Sequence, residues 1–317
     1  MSKSSNKLLK SFLFLGSVAG AMYLYNKCVN DFSTIKNKLF IKENSYYNWK
    51  FGNIYYQKSG EGSPILLIHD FSHCGSSHEW NHIVEHLSNT HTVYTIDLLG
   101  CGRSDKPAIT YTNFLYVQLI NDFIRDVIEE KTTLISSGFS SSIAIMETAY
   151  NSSQVDKLVC INPVDLNNIT KSCTTAEHIL KHIIELPLLG TFIYNVLSSK
   201  YALEKQISEN FVYNPFVINT DLIDTYYEAA HRGKGNGKYI LSSYIGKYMN
   251  TNLIHGLKTI ENNLLLIAGE HESNIEEIIE QHTAYNNRIE PVFIPKTRHI
   301  PHFEKAEDVA KEILYFI

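Results

Sequence analysis

Paired cysteines, basic clusters and repeats are all missing from this chain, and each absence removes a class of protein. Its five cysteines (Cys28, Cys74, Cys101, Cys160 and Cys173) are an odd number with no C-x-x-C spacing, so neither a disulfide framework nor a zinc knuckle organises the fold. No Lys/Arg cluster offers a stripe that would track phosphates, and the net charge is −5; no nucleic-acid partner is expected. Internal repeats and low-complexity tracts are absent too. What is present is 317 residues, 44% of them hydrophobic, enough for one large core or a core carrying a smaller inserted domain.

The N-terminus differs in kind. Lys3, Lys7 and Lys10 precede the apolar run FLFLGSVAGAMYLY, from Phe12 to Tyr25, which closes on Asn26 and Lys27. Apolar residues continue past the small triplet Ala19-Gly20-Ala21, where a cleaved leader would turn polar, and Tyr23 and Tyr25 suit a membrane interface. Residues 1–30 are therefore expected to be an uncleaved membrane anchor, with a secreted, cleaved form as the alternative. The lysines on its N-terminal side favour an extracytoplasmic domain, although Lys27, Lys36 and Lys38 blunt the asymmetry.

From Tyr46 onward, short apolar runs alternate with amphipathic stretches, which predicts an α/β fold with a mostly parallel sheet covered by helices on both faces. YNWKFGNIYYQKSG reads as a hairpin. PILLIHD, TVYTIDLL, TLISSG, KLVCIN, NLLLIAG and PVFIPK are short and nearly uninterrupted, as strands buried on both faces must be. Helical periodicity marks 77–87, 112–130, 141–150, 275–285 and 304–316. Residues 166–257 contain helical stretches but no convincing strand, which predicts an inserted helical cap between core segments 46–165 and 258–317.

Chemistry is suggested where the strand TLISSG runs through Gly138-Phe139-Ser140-Ser141-Ser142 into the helical pattern IAIMETAY. A serine at a strand-turn-helix junction, flanked by small residues so that the two backbones can approach, is the arrangement that lifts a nucleophilic hydroxyl above a sheet edge. Ser140 is the expected nucleophile.

Several motifs in order then resemble the α/β-hydrolase superfamily, over essentially everything from Tyr47 to Ile317. PILLIHDF resembles the family's oxyanion strand and its His-Gly turn, with Asp70 in place of glycine. IDLLGCGRSDKP resembles the family's Asp-x-x-Gly-x-Gly-x-Ser stretch and is similar to pheophytinase-like and bacterial lipase-like members. RHIPHFEKAEDVAKEILYFI resembles the C-terminal histidine signature and closing helix, with Arg298 for glycine. The resemblance implies an eight-stranded sheet and His299 as general base. It implies Glu272 as the orienting acid, with Asp165 as the alternative, and an oxyanion hole from the backbone of Phe71 and Ser141. The implied function is hydrolysis of an ester, lipophilic in character, through an acyl-enzyme on Ser140, with no cofactor or metal. Acyl transfer, or action on a peptide or lactone, would use the same triad. Because Asp70, Ser142 and Arg298 all replace glycines, a non-catalytic ligand-binding protein is the rival expectation.

Other patterns carry less. His78, His82 and His86 read as a helix face, and His178 and His182 as cap surface, because neither set has the carboxylate or cysteine partners of a metal site. Asp97 and Asp105 are expected to brace the Gly100-x-Gly102-x-Ser104 turn, and the cap aromatics to pack or to line an apolar pocket.

Overall fold

The computed structural model describes residues 3–41 and 45–317, with side chains from Lys10 onward; the Lys3 and Lys7 charges that entered the orientation expectation lie outside the described side chains. Helix α1 (Lys3–Phe32) leads to a hairpin of β1 (Ser45–Trp49) and β2 (Gly52–Ser59). Then come β3 (Pro64–Ile68), α2 (Asn81–Leu87), β4 (Thr92–Ile96), α3 (Asn113–Phe123), β5 (Thr132–Ser137), α4 (Ser141–Tyr150) and β6 (Val155–Ile161). Between β6 and β7 the chain forms helices without a strand: α5 (Leu166–Ile169), α6 (Thr175–Glu185), α7 (Leu189–Leu197), α8 (Lys200–Gln206), α9 (Thr220–His231), α10 (Lys238–Ile245) and α11 (Ile254–Thr259). The chain closes with β7 (Leu264–Gly269), α12 (Ile275–Thr283), β8 (Ile289–Ile294), α13 (Pro301–Glu304) and α14 (Ala306–Phe316).

The eight strands form one sheet in the order β1-β2-β4-β3-β5-β6-β7-β8. β1 and β2 pair antiparallel, β2 meets β4 antiparallel, and every pairing from β4 to β8 is parallel. The expected eight-stranded, mostly parallel architecture is thus observed. Its cause is the composition of the strands: every residue of β3, β4, β5 and β7 is buried, as strands covered by helices on both faces must be, and their residues are apolar or small and hydroxylated apart from Tyr94. One face packs on α3 and α4 through residues such as Tyr116, Ile120 and Ile145, the other on α2, the turn before it and α14 through Ile83, Trp80 and Ile313.

The topology also decides where chemistry can occur. In open parallel sheets, ligands bind beyond the carboxyl ends of the strands. Here β3 and β5 are neighbours, paired through Ile68 and Ser136, so the segments that leave them, His69–Phe71 and Gly138–Ser140, are forced side by side. The loops after β6, β7 and β8 complete the same rim with Asn162, Glu272 and His299. Asp97 braces the loop after β4: its carboxylate accepts from Ser77 N–H and Arg103 N–H, each at 2.7 Å, and pairs with the buried Arg103 guanidinium. Asp105 accepts from Asn53 N–H at 2.7 Å and ties that loop to β2.

Within α1, Lys10–Phe32 is long and apolar enough to cross a membrane, and only 6% of its most apolar stretch is buried. Its 23 residues extend about 34 Å at about 1.5 Å per residue, against a hydrocarbon core of about 30 Å.

Candidate active site

The turn after β5 does not fall where the sequence pattern suggested. β5 ends at Ser137, and the chain reverses at Gly138, whose φ is +53°. In a strand-turn-helix elbow the reactive side chain sits on the strained turn residue, and the next N–H points at the developing oxyanion. Those positions are Gly138 and Phe139, two residues before the expected Ser140 and Ser141. The position of the turn has a simple cause. A positive φ selects glycine, so Gly138 is the turn itself and Ser136 and Ser140 are its small flanks.

Ser140 is fully buried, and its hydroxyl donates to the His69 carbonyl at 2.6 Å. It does not line the cavity, and the structure does not hydrogen-bond it to His299. Ser141 directs its N–H to the Gly138 and Phe139 carbonyls, which removes it as an oxyanion donor, and its hydroxyl accepts from Val164 N–H at 3.1 Å. The Ser142 hydroxyl donates to the Phe139 carbonyl and accepts from the Asn113 amide, each at 2.9 Å. The serine run is a set of internal ties joining α4 to the loops after β3 and β6 and to α3.

Asp70, a departure at the sequence level, stands at the centre. Its Oδ1 accepts from Phe139 N–H at 2.7 Å and its Oδ2 lies 3.2 Å from His299 Nε2. Its own N–H donates to both oxygens of the buried Glu79 carboxylate, at 3.1 and 3.2 Å. Phe71 follows on the cavity wall with its ring 5.9 Å from that of Phe139. Neither Asp70 nor Glu79 was singled out as a site residue from sequence. The available signal was paired: a carboxylate in one glycine position opposite a glycine in the reactive position.

His299 sits between two acids. Its Nδ1 is 3.6 Å from Glu272 Oε2, an ion-pair separation too long for a hydrogen bond. That Glu272 oxygen is buried without any other partner. Burial opposes a charge on His299, but Asp70 and Glu272 outweigh it and push its pKa up to about 10. The two flanking carboxylates thus favour the protonated imidazole. Asp165, the alternative acid, is engaged elsewhere, because it caps α5, accepting from Asn167 N–H at 2.8 Å and the Asn168 amide at 2.6 Å. Asn162, with φ +46°, fixes the histidine loop. Its amide donates to the Arg298 and His299 carbonyls, both at 2.8 Å, and its Oδ1 accepts from Gly269 N–H at 2.8 Å. Sequence reasoning passed over this residue, although an Asn closing an apolar strand suits a left-handed position. Arg298 donates its N–H to Glu304 at 2.9 Å.

These groups open on a cavity of about 1010 Å³, walled by Phe139, Val164, Ile169, Leu241 and Ile245 beside Asp70 and His299. Among the described residues, no three His, Cys, Asp or Glu side chains are grouped to hold a metal.

The sequence profile of the Alpha/beta hydrolase family matches residues 65–312. The chain belongs to this family. An uncharacterized protein of Mycobacterium tuberculosis is 33% identical over 105 residues, 33% of this chain and 30% of that protein. A soluble epoxide hydrolase of a Corynebacterium is 23% identical over 111 residues, 35% of this chain and 38% of that enzyme. The matches thus span only about a third of these relatives' lengths. Among solved structures, a serine hydrolase involved in carbazole degradation superposes on this α/β hydrolase with a TM-score of 0.70 at 17% identity, covering 86% of this chain and 98% of the other. That likeness is one of fold.

Proposed function

We propose that this α/β hydrolase hydrolyses an apolar, strained cyclic ether of the epoxide class, with the Asp70 carboxylate as nucleophile and His299 as proton donor and then base. The observation that carries the reading is one carboxylate held between the Phe139 N–H, at 2.7 Å, and the His299 imidazole, at 3.2 Å. Asp70 Oδ2 attacks a ring carbon, the carbon–oxygen bond breaks with its electron pair on oxygen, and His299 gives that oxygen its proton. Asp70 is now a neutral ester. One of the two charges that held the proton on His299 is gone, so the neutral imidazole can take a proton from water. Hydroxide adds to the Asp70 carboxyl carbon, the charge developing on Oδ1 falls on the Phe139 N–H, and the alkoxide leaves to be reprotonated by His299. A diol is released, the regenerated Asp70 carboxylic acid passes its proton to the neutral His299, and the resting ion pair returns. Glu272 holds the ring and its charge.

An alkoxide leaving group needs a proton, which an imidazolium supplies. An acyl-enzyme on Ser140 would instead need a neutral base beside a free hydroxyl, and Ser140 has neither. The name of the epoxide hydrolase relative agrees with this class. We also take α1 as a membrane anchor, on its length and composition.

The test is a single turnover of the purified chain with styrene oxide in H2(18)O, followed by peptide mass spectrometry. Label in the peptide carrying Asp70, diol release, and a stable adduct on Asp70 in His299→Gln are expected. Unchanged turnover in Asp70→Asn would overturn the reading. The glycine at the reactive position favours one rival, a ligand-binding protein without chemistry; tight binding with neither diol nor adduct would select it.

A further inference from the structure

We infer that the apolar outer face of the cap, formed by α6 and α7, rests in the lipid interface beside α1 and presents the mouth of the cavity to the bilayer. The inference rests on the anchor reading of α1 and not on the chemistry at Asp70.

The decisive contacts lie inside the apolar segment of α1, not beyond its end. The Tyr25 ring packs on Phe192 of α7 at 5.4 Å, the Asn26 amide donates to the Leu188 carbonyl at 3.1 Å, and Asn195 donates to Asn26 Oδ1 at 3.0 Å. Tyr25 and Asn26 precede the end of that segment, Phe32, by six or seven residues, about 10 Å of helix. An amide at that depth would be costly in lipid unless hydrogen-bonded. Asn26 is buried, and the cap supplies its partners. If α1 spans the bilayer, α7 is held at the level of the acyl–headgroup boundary, the depth of about 5–10 Å that interfacial helices reach.

The face brought to that level is suited to it. Ile179, Leu180, Leu186, Leu189, Val196 and Leu197 are exposed. The two carboxylates of α6 are both neutralised within the protein: Glu177 pairs with Lys247 at 2.8 Å and Glu185 with Lys181 at 2.6 Å. α6 and α7 meet at a bend of 100°. With 11 and 9 residues, each is far shorter than the roughly 20 residues of a span, and lying in the interface suits them. Lys36 and Lys38, just past α1, pair with Asp224 and Asp221 of α9 and fix the cap against the emerging chain. Leu197 belongs both to this face and to the cavity wall. An apolar substrate dissolved in the membrane would therefore enter without crossing water.

The experiment uses the full chain in phosphatidylcholine/phosphatidylglycerol nanodiscs. Cys28 and Cys173 are replaced by serine, and single spin labels are placed at Leu189→Cys, Val196→Cys and, on the far side, Asp156→Cys. Relaxation by oxygen and by a water-soluble nickel chelate reads the depth of each label. Positions 189 and 196 are expected to favour oxygen by at least about tenfold over position 156. Equal, water-like accessibility at all three positions overturns the inference, as does a short label-to-label distance between two copies that shields 189 and 196 from both relaxants. Water-like accessibility at a further label, Leu15→Cys on α1, would overturn the anchor reading itself, and unchanged turnover in Asp70→Asn with lipid-like accessibility at 189 and 196 would overturn the chemistry alone, so the readings fail separately.

Discussion

Asp70 occupies the space that a side chain on Gly138 would fill: a Cβ at Gly138 would lie 2.3 Å from Asp70 Oδ1. The carboxylate at the elbow thus comes from the loop after β3 and not from the turn after β5. The two positions should be energetically coupled. Gly138→Ser alone forces a side chain into a left-handed conformation and against a carboxylate, and is expected to cost at least about 2 kcal/mol. Adding Asp70→Gly should return at least about 1 kcal/mol of that, as a double-mutant cycle in urea would read. Strict additivity would contradict the shared space.

His299 makes stability depend on pH with a definite sign. Its folded pKa, raised to about 10 by Asp70 and Glu272 against burial, lies above an unfolded value of about 6.5. The stabilisation is complete below about pH 6.5 and is lost as pH rises towards about 10, because folding takes up a proton in that window. Urea midpoints should therefore fall across that range in the wild type and fall less in Asp70→Asn. Imidazole NMR titration of the same variant should show the His299 pKa lowered.

Ser140→Ala separates the elbow serine from chemistry. Its hydroxyl is a tie to the His69 carbonyl, so removal is expected to cost about 1 kcal/mol and to leave turnover within about twofold. A loss of about 10⁴-fold with folding intact would restore Ser140 as the nucleophile.

Asn162 acts through His299 by holding the loop that carries it. Asn162→Ala leaves two carbonyls and one N–H without their partner, at a cost of about 2 kcal/mol or more. Because the loop loosens while the cavity walls stay, kcat should fall at least about tenfold with KM little changed. A rise in KM with kcat intact would point to a role in binding instead.

The serine run shows where local reading stops. Ser136 through Ser142 contains one glycine, five serines and Phe139, and the spacing of the small residues fits an elbow at Ser140 as well as one at Gly138. The carboxylate at position 70 was visible as a substitution, but its partner lay 68 residues away along the chain and adjacent only across the β3–β5 pairing. Motif position favours Glu272 over Asp165, and what the motif does not show is that Asp165 caps α5.

The amino-acid order by itself determined the sheet, because strands covered on both faces must be short apolar runs and helices between them must be amphipathic. It determined the helical α1 as well, since an uncharged apolar stretch admits little else. Only the tertiary structure decided which residue takes the left-handed turn and which carboxylate meets His299. Those choices are made by contacts between strands distant in sequence, where a missing Cβ on one loop and an added carboxylate on another fill a single space.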